Sequence, residues 1–81
     1  MPGPYVLVAD ADPFSLNLLE EACTTAGYEV LTALDGRQAL ELLARHPTML
    51  VLLDAGLPEM SGQQVAEILK NDAELKVIPV L

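Results

Sequence analysis

Basic side chains are scarce in this sequence: Arg37, Arg45, Lys70 and Lys76 stand against 12 acids, giving a formal charge of −8. Nucleic-acid binding needs a basic stripe that displaces counterions from phosphates, and four scattered cations make none. Cysteine is nearly absent too. Cys23 alone cannot close an internal disulfide, which suits a reducing compartment. It falls on the apolar side of a predicted helix with no cation nearby to activate it, so it is expected to be a buried structural thiol. No apolar run approaches the roughly 18 residues that a membrane span needs. The N-terminal MPGPYVLVAD has neither the basic lead nor the long apolar core of a signal peptide. Phosphate loops of the G-x-G-x-x-G or G-x-x-x-x-G-K type are missing after every strand. These absences imply a soluble, cytoplasmic protein that binds neither nucleic acid nor membrane.

Apolar residues, by contrast, are plentiful: 52% of the 81 residues, with a mean hydropathy of +0.37. A chain of this length makes one domain and buries only about 60–65% of its unfolded surface. The excess of apolar residues implies faces that something else covers, while the scattered acids are expected at a solvated surface.

The apolar residues fall into short runs that alternate with helical patterns. YVLVA (5–9) is continuous enough for a strand buried on both sides. Asp12 and Pro13 then start a helix as N-cap and first helical residue. Leu19, Ala22, Cys23 and Ala26 recur at helical spacing, and Gly27 ends that helix. YEVLTA (28–33) alternates as an edge strand does. LDG (34–36) turns into a helix over RQALELLARH with Ala39, Leu40 and Leu43 inward. MLVLL (49–53) is a third, central strand, and GLPEM (56–60) a loop. Ser61 and Gln64 form a capping box for a helix that carries Val65, Ile68 and Leu69 inward. VIPVL (77–81) predicts a fourth strand, with Pro79 near its start.

This order predicts an α/β fold: an open parallel sheet with right-handed crossovers and helices on both faces. Three helices cover four strands unevenly, one on one face and two on the other if the strand order reverses after the first strand. Apolar sheet is then left open on the one-helix side. A chain that stops inside a fourth strand is expected to be incomplete at its C-terminus, or to self-associate through that open sheet.

Three acids could carry chemistry. Asp10 and Asp54 each follow a buried strand, and the C-terminal strand ends of such a sheet line the crevice where ligands bind. Asp12 is better placed to cap its helix. Asp54 has no helix to cap, being followed by Ala55-Gly56, and a desolvated carboxylate there needs a cation or hydrogen bonds.

LLDAGLPEMSG (52–62) resembles the phosphoacceptor loop of bacterial response-regulator receiver domains: apolar strand, Asp, two residues, Leu-Pro, one residue, Met, a small polar residue, Gly. YVLVADADP, GYEVLTALDGRQALELL and VIPVL extend the resemblance over nearly the whole chain. It implies the flavodoxin-like, CheY-like doubly wound fold with strand order 2-1-3-4, lacking here the fifth strand and last helices. It also implies a non-enzymatic module of two-component signal transduction, in which Asp54 accepts a phosphoryl group from a sensor histidine kinase or phosphotransfer protein. Mg²⁺ would be held by Asp10, Asp54 and the backbone carbonyl of Gly56, with Asp12 a further candidate.

The sequence departs from the family pattern in three places. The family has two adjacent acids after its first strand. Pro13 sets the register, so Asp10 matches the first acid and Ala11 stands at the second, an expected metal ligand, which should weaken Mg²⁺. Met49 and Ser61 occupy positions where acids are frequent. The Ser/Thr that ends the fourth strand and the Lys that ends the fifth would fall beyond Leu81. Two other readings follow from these features. One is a degenerate receiver acting as a phosphorylation-independent interaction module. The other is a haloacid-dehalogenase-like phosphatase using Asp10 as nucleophile and Asp12 as general acid/base. Against the latter, Pro13 starts a helix where that family has Thr or Val, and no downstream Lys with an acidic pair is in place.

Overall fold

In the computed structural model of the protein, residues 5–54, 56–58, 60–73 and 75–81 are described. The first strand, β1 (Tyr5–Ala9), is the centre of the sheet, and Val6 to Ala9 are at most 1% exposed. It pairs in parallel with β2 (Glu29–Ala33) on one side and β3 (Thr48–Leu53) on the other, giving the order β2-β1-β3. A continuous apolar run suits a strand covered on both faces and flanked on both edges. The β1–β3 register shifts between Tyr5 and Val6, so that Tyr5 faces Thr48 while Val6 faces Leu50. Met49 is the extra residue there, as in a β-bulge.

Alternate residues of the strands feed two separate cores. Leu7, Ala9, Ala33 and Val51 pack with Ala39 and Leu43 of α2 (Gly36–Arg45) and Val65 and Leu69 of α3 (Gly62–Lys70). On the opposite face Val6 and Val8 meet Leu16 of α1 (Pro13–Thr25), with Cys23, Val30, Leu50 and Leu52 partly buried around them. The uneven cover expected from the sequence, one helix against two, is therefore observed. The α1 side leaves Phe14 72%, Leu18 52% and Tyr28 44% exposed.

The helix ends follow local chemistry. Asp12 caps α1 through a hydrogen bond accepted from the Phe14 amide at 3.1 Å, Pro13 having no N–H to offer. The other end closes as a Schellman motif, in which Gly27 (φ +97°) donates to the Thr24 carbonyl at 3.0 Å and Tyr28 to that of Cys23 at 3.1 Å. Ser61 and Gln64 make the full capping box, Gln64 N to Ser61 Oγ at 3.2 Å and Ser61 N to Gln64 Oε1 at 3.0 Å.

Three expectations need correction. The inner stripe of α1 runs along Leu16 and Cys23, not through Leu19, Ala22 and Ala26, which are all exposed; Cys23 itself is only half-buried. At about 100° per residue Leu16 and Cys23 nearly eclipse, whereas Leu19 sits roughly 60° and Ala22 roughly 120° off that line. Ile68 is 43% exposed for the same reason, on the shoulder of the Val65–Leu69 line. Finally, the run expected as a strand over 77–81 starts inside a 3₁₀ turn, Leu75–Val77, and pairs with β3 only through a parallel bridge between Val80 and Val51. Leu81 N to Val51 O and Leu53 N to Leu81 O, both at 2.8 Å, place it on the far edge of β3, where the order 2-1-3-4 puts a fourth strand.

Candidate functional site

The pairing of β1 with β3 sets Ala9 opposite Leu53, so the next residues, Asp10 and Asp54, leave the sheet side by side. Backbone hydrogen bonds continue past the strand ends and hold both. Asp54 N donates to Ala9 O at 3.0 Å, and Asp10 N donates to Ala33 O at 3.1 Å. Asp10 and Asp54 thus leave neighbouring strands at the same end of the sheet. Asp10 is half-buried and Asp54 exposed.

Each acid has one oxygen engaged locally. Asp10 Oδ1 accepts the Asp12 amide at 2.9 Å, and Asp54 Oδ1 accepts the Gly56 amide at 3.3 Å. Among the described residues no hydrogen bond reaches either Oδ2. The space over Gly56 is open, since a Cβ built there would have only Asp54 Oδ2 nearby, at 4.0 Å. Asp12 is used differently. Its Oδ1 takes the Phe14 amide and its Oδ2 the Ser15 hydroxyl at 3.0 Å, so both oxygens serve the start of α1. Ala11 lies between them, exposed, at a bend.

Two carboxylates at the ends of β1 and β3, those of Asp10 and Asp54, therefore keep an oxygen free of hydrogen bonds among the described residues. No group of three His, Cys, Asp or Glu residues close enough to hold a metal occurs among the described residues. Such a set is too poor for a closed zinc or calcium cage. It fits Mg²⁺, which keeps several waters and needs only one or two carboxylates.

The loop that follows Asp54 is fastened by more than its proline. Leu57 is 5% exposed within the α2–α3 core, and Pro58 O accepts amides from Met60 at 2.6 Å and Gly36 at 3.4 Å. The contact with Gly36 could not be foreseen from the sequence, because a glycine after Asp35 looks only like turn chemistry.

Residues 6–81 match the family model described as "Response regulator receiver domain". The chain is similar to the polar-differentiation response regulator DivK of Brucella anthropi, 37% identical over 81 residues that make up all of this chain and 65% of the relative. DivK of Brucella ovis is 36% identical over 76 residues, 94% of this chain and 62% of the relative. The chain thus spans less than two thirds of the length of these curated relatives. Among solved structures, the N-terminal domain of a response regulator receiver protein from Methanoculleus marisnigri superimposes with a TM-score of 0.88 at 34% identity, over 94% of this chain and 62% of that one. CheY4 of Vibrio cholerae gives 0.90 at 28%, over 94% and 63%. TrrA of Thermotoga maritima, solved in complex with Mg²⁺-BeF, gives 0.82 at 34%, over 91% and 63%.

Proposed function

The chain belongs to the response-regulator receiver domains of two-component signalling, modules that transmit a signal and are generally not enzymes; on that premise we propose that Asp54 is its phosphoacceptor. A carboxylate oxygen of Asp54 attacks the phosphorus of a phosphohistidine on a sensor kinase or phosphotransfer protein. The P–N bond breaks, the imidazole leaves and takes up a proton, and an acyl phosphate remains on Asp54. The observation that carries this reading is that Asp10 and Asp54 each stand one residue past the Ala9–Leu53 rung, with Oδ2 free of hydrogen bonds among the described residues.

Mg²⁺, when bound, would neutralise the charge of the incoming phosphoryl group, and the complex of TrrA with Mg²⁺-BeF supports its use here. Asp10, Asp54 and the Gly56 carbonyl would hold it. Asp10 is kept in place by the amide of Asp12, and Asp54 by the Ala9 carbonyl and the Gly56 amide. With Ala11 at the position of a second acid, these residues would hold Mg²⁺ more weakly than a pair of adjacent carboxylates would, and phosphorylation would be correspondingly poor. Ala11 is also the observation that favours a second reading, a degenerate receiver that works as an interaction module without phosphorylation.

Intact mass after incubation with a small acyl-phosphate donor, with and without Mg²⁺, separates the two. A Mg²⁺-dependent gain of one phosphoryl group, lost in Asp54→Asn, is the expected result. No gain at any Mg²⁺ concentration would overturn the acceptor reading in favour of the module.

A further inference from the structure

The first residue of α2 is buried where helix starts are normally exposed, and it touches the loop that carries the site. A Cβ on Gly36 would overlap the carbonyl oxygen of Met60 and stand 2.9 Å from Met60 Cβ and Val65 Cγ2. Its amide meanwhile donates to Pro58 O at 3.4 Å. We infer that Gly36 is a positioning residue for the site loop: the missing side chain is what lets α2 press on Pro58 and Met60 and so set where Gly56 and Asp54 stand. This rests on Asp54 and Gly56 being the phosphoacceptor and metal-binding residues.

The loop has little room to move elsewhere. Its start is tied into the sheet through Asp54 N and Ala9 O, and Leu57 is sunk in the core. Its end runs into the capping box of Ser61 and Gln64, whose helix packs through Val65 against the same point on Gly36. A methyl at 36 meets a backbone carbonyl, which no rotamer change can withdraw. Restoring ordinary contact requires the loop or the helix to shift by about 1 Å, a large strain in a close-packed interior. Because α2 is anchored by Ala39 and Leu43, which are 0% and 4% exposed, the strain passes into Met60 and along the loop toward Gly56 and Asp54. Displacements of that size at a reacting centre cost up to about 100-fold in rate, and disturbed supporting groups cost a metal about 10–100-fold in affinity.

The test compares Gly36→Ala with Gly27→Ala, the latter being strained by its φ of +97° but distant from the loop. Mg²⁺ affinity is measured by titration in conditions where urea curves show each variant folded. Gly36→Ala should bind Mg²⁺ about tenfold more weakly and take up less phosphoryl group, while Gly27→Ala keeps the parental affinity and loses only stability. Parental affinity in Gly36→Ala, or an equal loss in Gly27→Ala, overturns the inference and leaves the acceptor reading intact. A parent protein that neither binds Mg²⁺ nor gains a phosphoryl group removes both. If Gly36→Ala does not fold, amide exchange in the unmodified protein decides. Binding at a loop held by Gly36 must, by linkage, protect the Gly36 N–H. Slowing of that amide in saturating Mg²⁺ beyond the slowing of core amides such as Leu7 supports the inference, and slowing no greater than theirs overturns it.

Discussion

Replacing Asp12 separates a helix cap from a metal ligand, because the two roles predict opposite pairs of outcomes. Both Asp12 oxygens are engaged at the start of α1, on the Phe14 amide and the Ser15 hydroxyl. Removing an N-cap acid costs about 1 kcal/mol, within a range of roughly 0.5–2. In a domain of this size that lowers Tm by about 4–8 °C. Asp12→Ser keeps an oxygen that can cap, so its Tm should stay within about 2 °C of the parent, a difference of only a few tenths of a kcal/mol. Mg²⁺ should respond alike in both variants. A nearby carboxylate that is not a ligand acts through solvent, where a divalent cation and a unit charge about 8 Å apart interact by about 1 kcal/mol before screening. That is a change of about fivefold or less in affinity, and a lost ligand costs far more. Thermal melts followed by circular dichroism, with Mg²⁺ titrations on the same samples, give both numbers. Asp12→Ser binding Mg²⁺ more than tenfold more weakly, or Asp12→Ala melting with the parent, would refute the assignment. Either result would also revive the phosphatase reading, whose general acid needs a carboxyl that is not committed to a helix.

Two further outcomes follow from the same structure. Ala11→Asp places a second carboxylate beside Asp10 and should raise Mg²⁺ affinity by about tenfold or more; the variant's Tm should then climb with Mg²⁺ concentration as binding is linked to folding. No change in affinity would mean that Pro13 does not set the register assumed for this site. On the α1 side, exposed Phe14 and Leu18, with half-buried Leu50 and Leu52 on the sheet beside them, predict concentration-dependent self-association in sedimentation. A stable monomer that unfolds cooperatively would refute that use of the face.

The parts of the fold legible in the sequence are those set by local chemistry. Pro13 after Asp12, Gly27 after Ala26 and Ser61 before Gln64 each solve the problem of unpaired backbone groups at a helix end, and each stands where that chemistry is needed. The uninterrupted apolar run of β1 likewise announced a strand closed on every side. What stayed hidden depends on distant partners. Whether Leu19 or Leu16 faces inward is a matter of how α1 is rotated on Val6 and Val8, and both are leucines. The shortened fourth strand reflects the 3₁₀ turn at Leu75–Val77 and the lack of an N–H on Pro79, which tertiary pairing with β3 only partly overcomes. Gly36 looked like punctuation because its contact lies 24 residues further on, at Met60.

That contact bears on whether the site is used. The two acids after β1 are used differently, since the start of α1 engages both oxygens of Asp12 while Asp10 keeps one free of hydrogen bonds among the described residues. A module that only docked a partner could keep its fold with any well-packed loop after β3. Here the loop is fixed at Asp54, Leu57, Pro58, Met60 and Ser61 by separate devices: a sheet hydrogen bond, a core side chain, a bond from Gly36, the absence of a Cβ on Gly36, and a capping box. Three of them act on backbone groups, and together they hold the loop at both its ends. That is what a phosphoacceptor with few ligands most needs, because each missing carboxylate makes the position of those that remain more important. An acceptor site with low Mg²⁺ affinity, rather than one that has lost its chemistry, is the reading we propose on this ground. It also predicts that Ala11→Asp and Gly36→Ala act in opposite directions on a single quantity, with the double variant falling between the two.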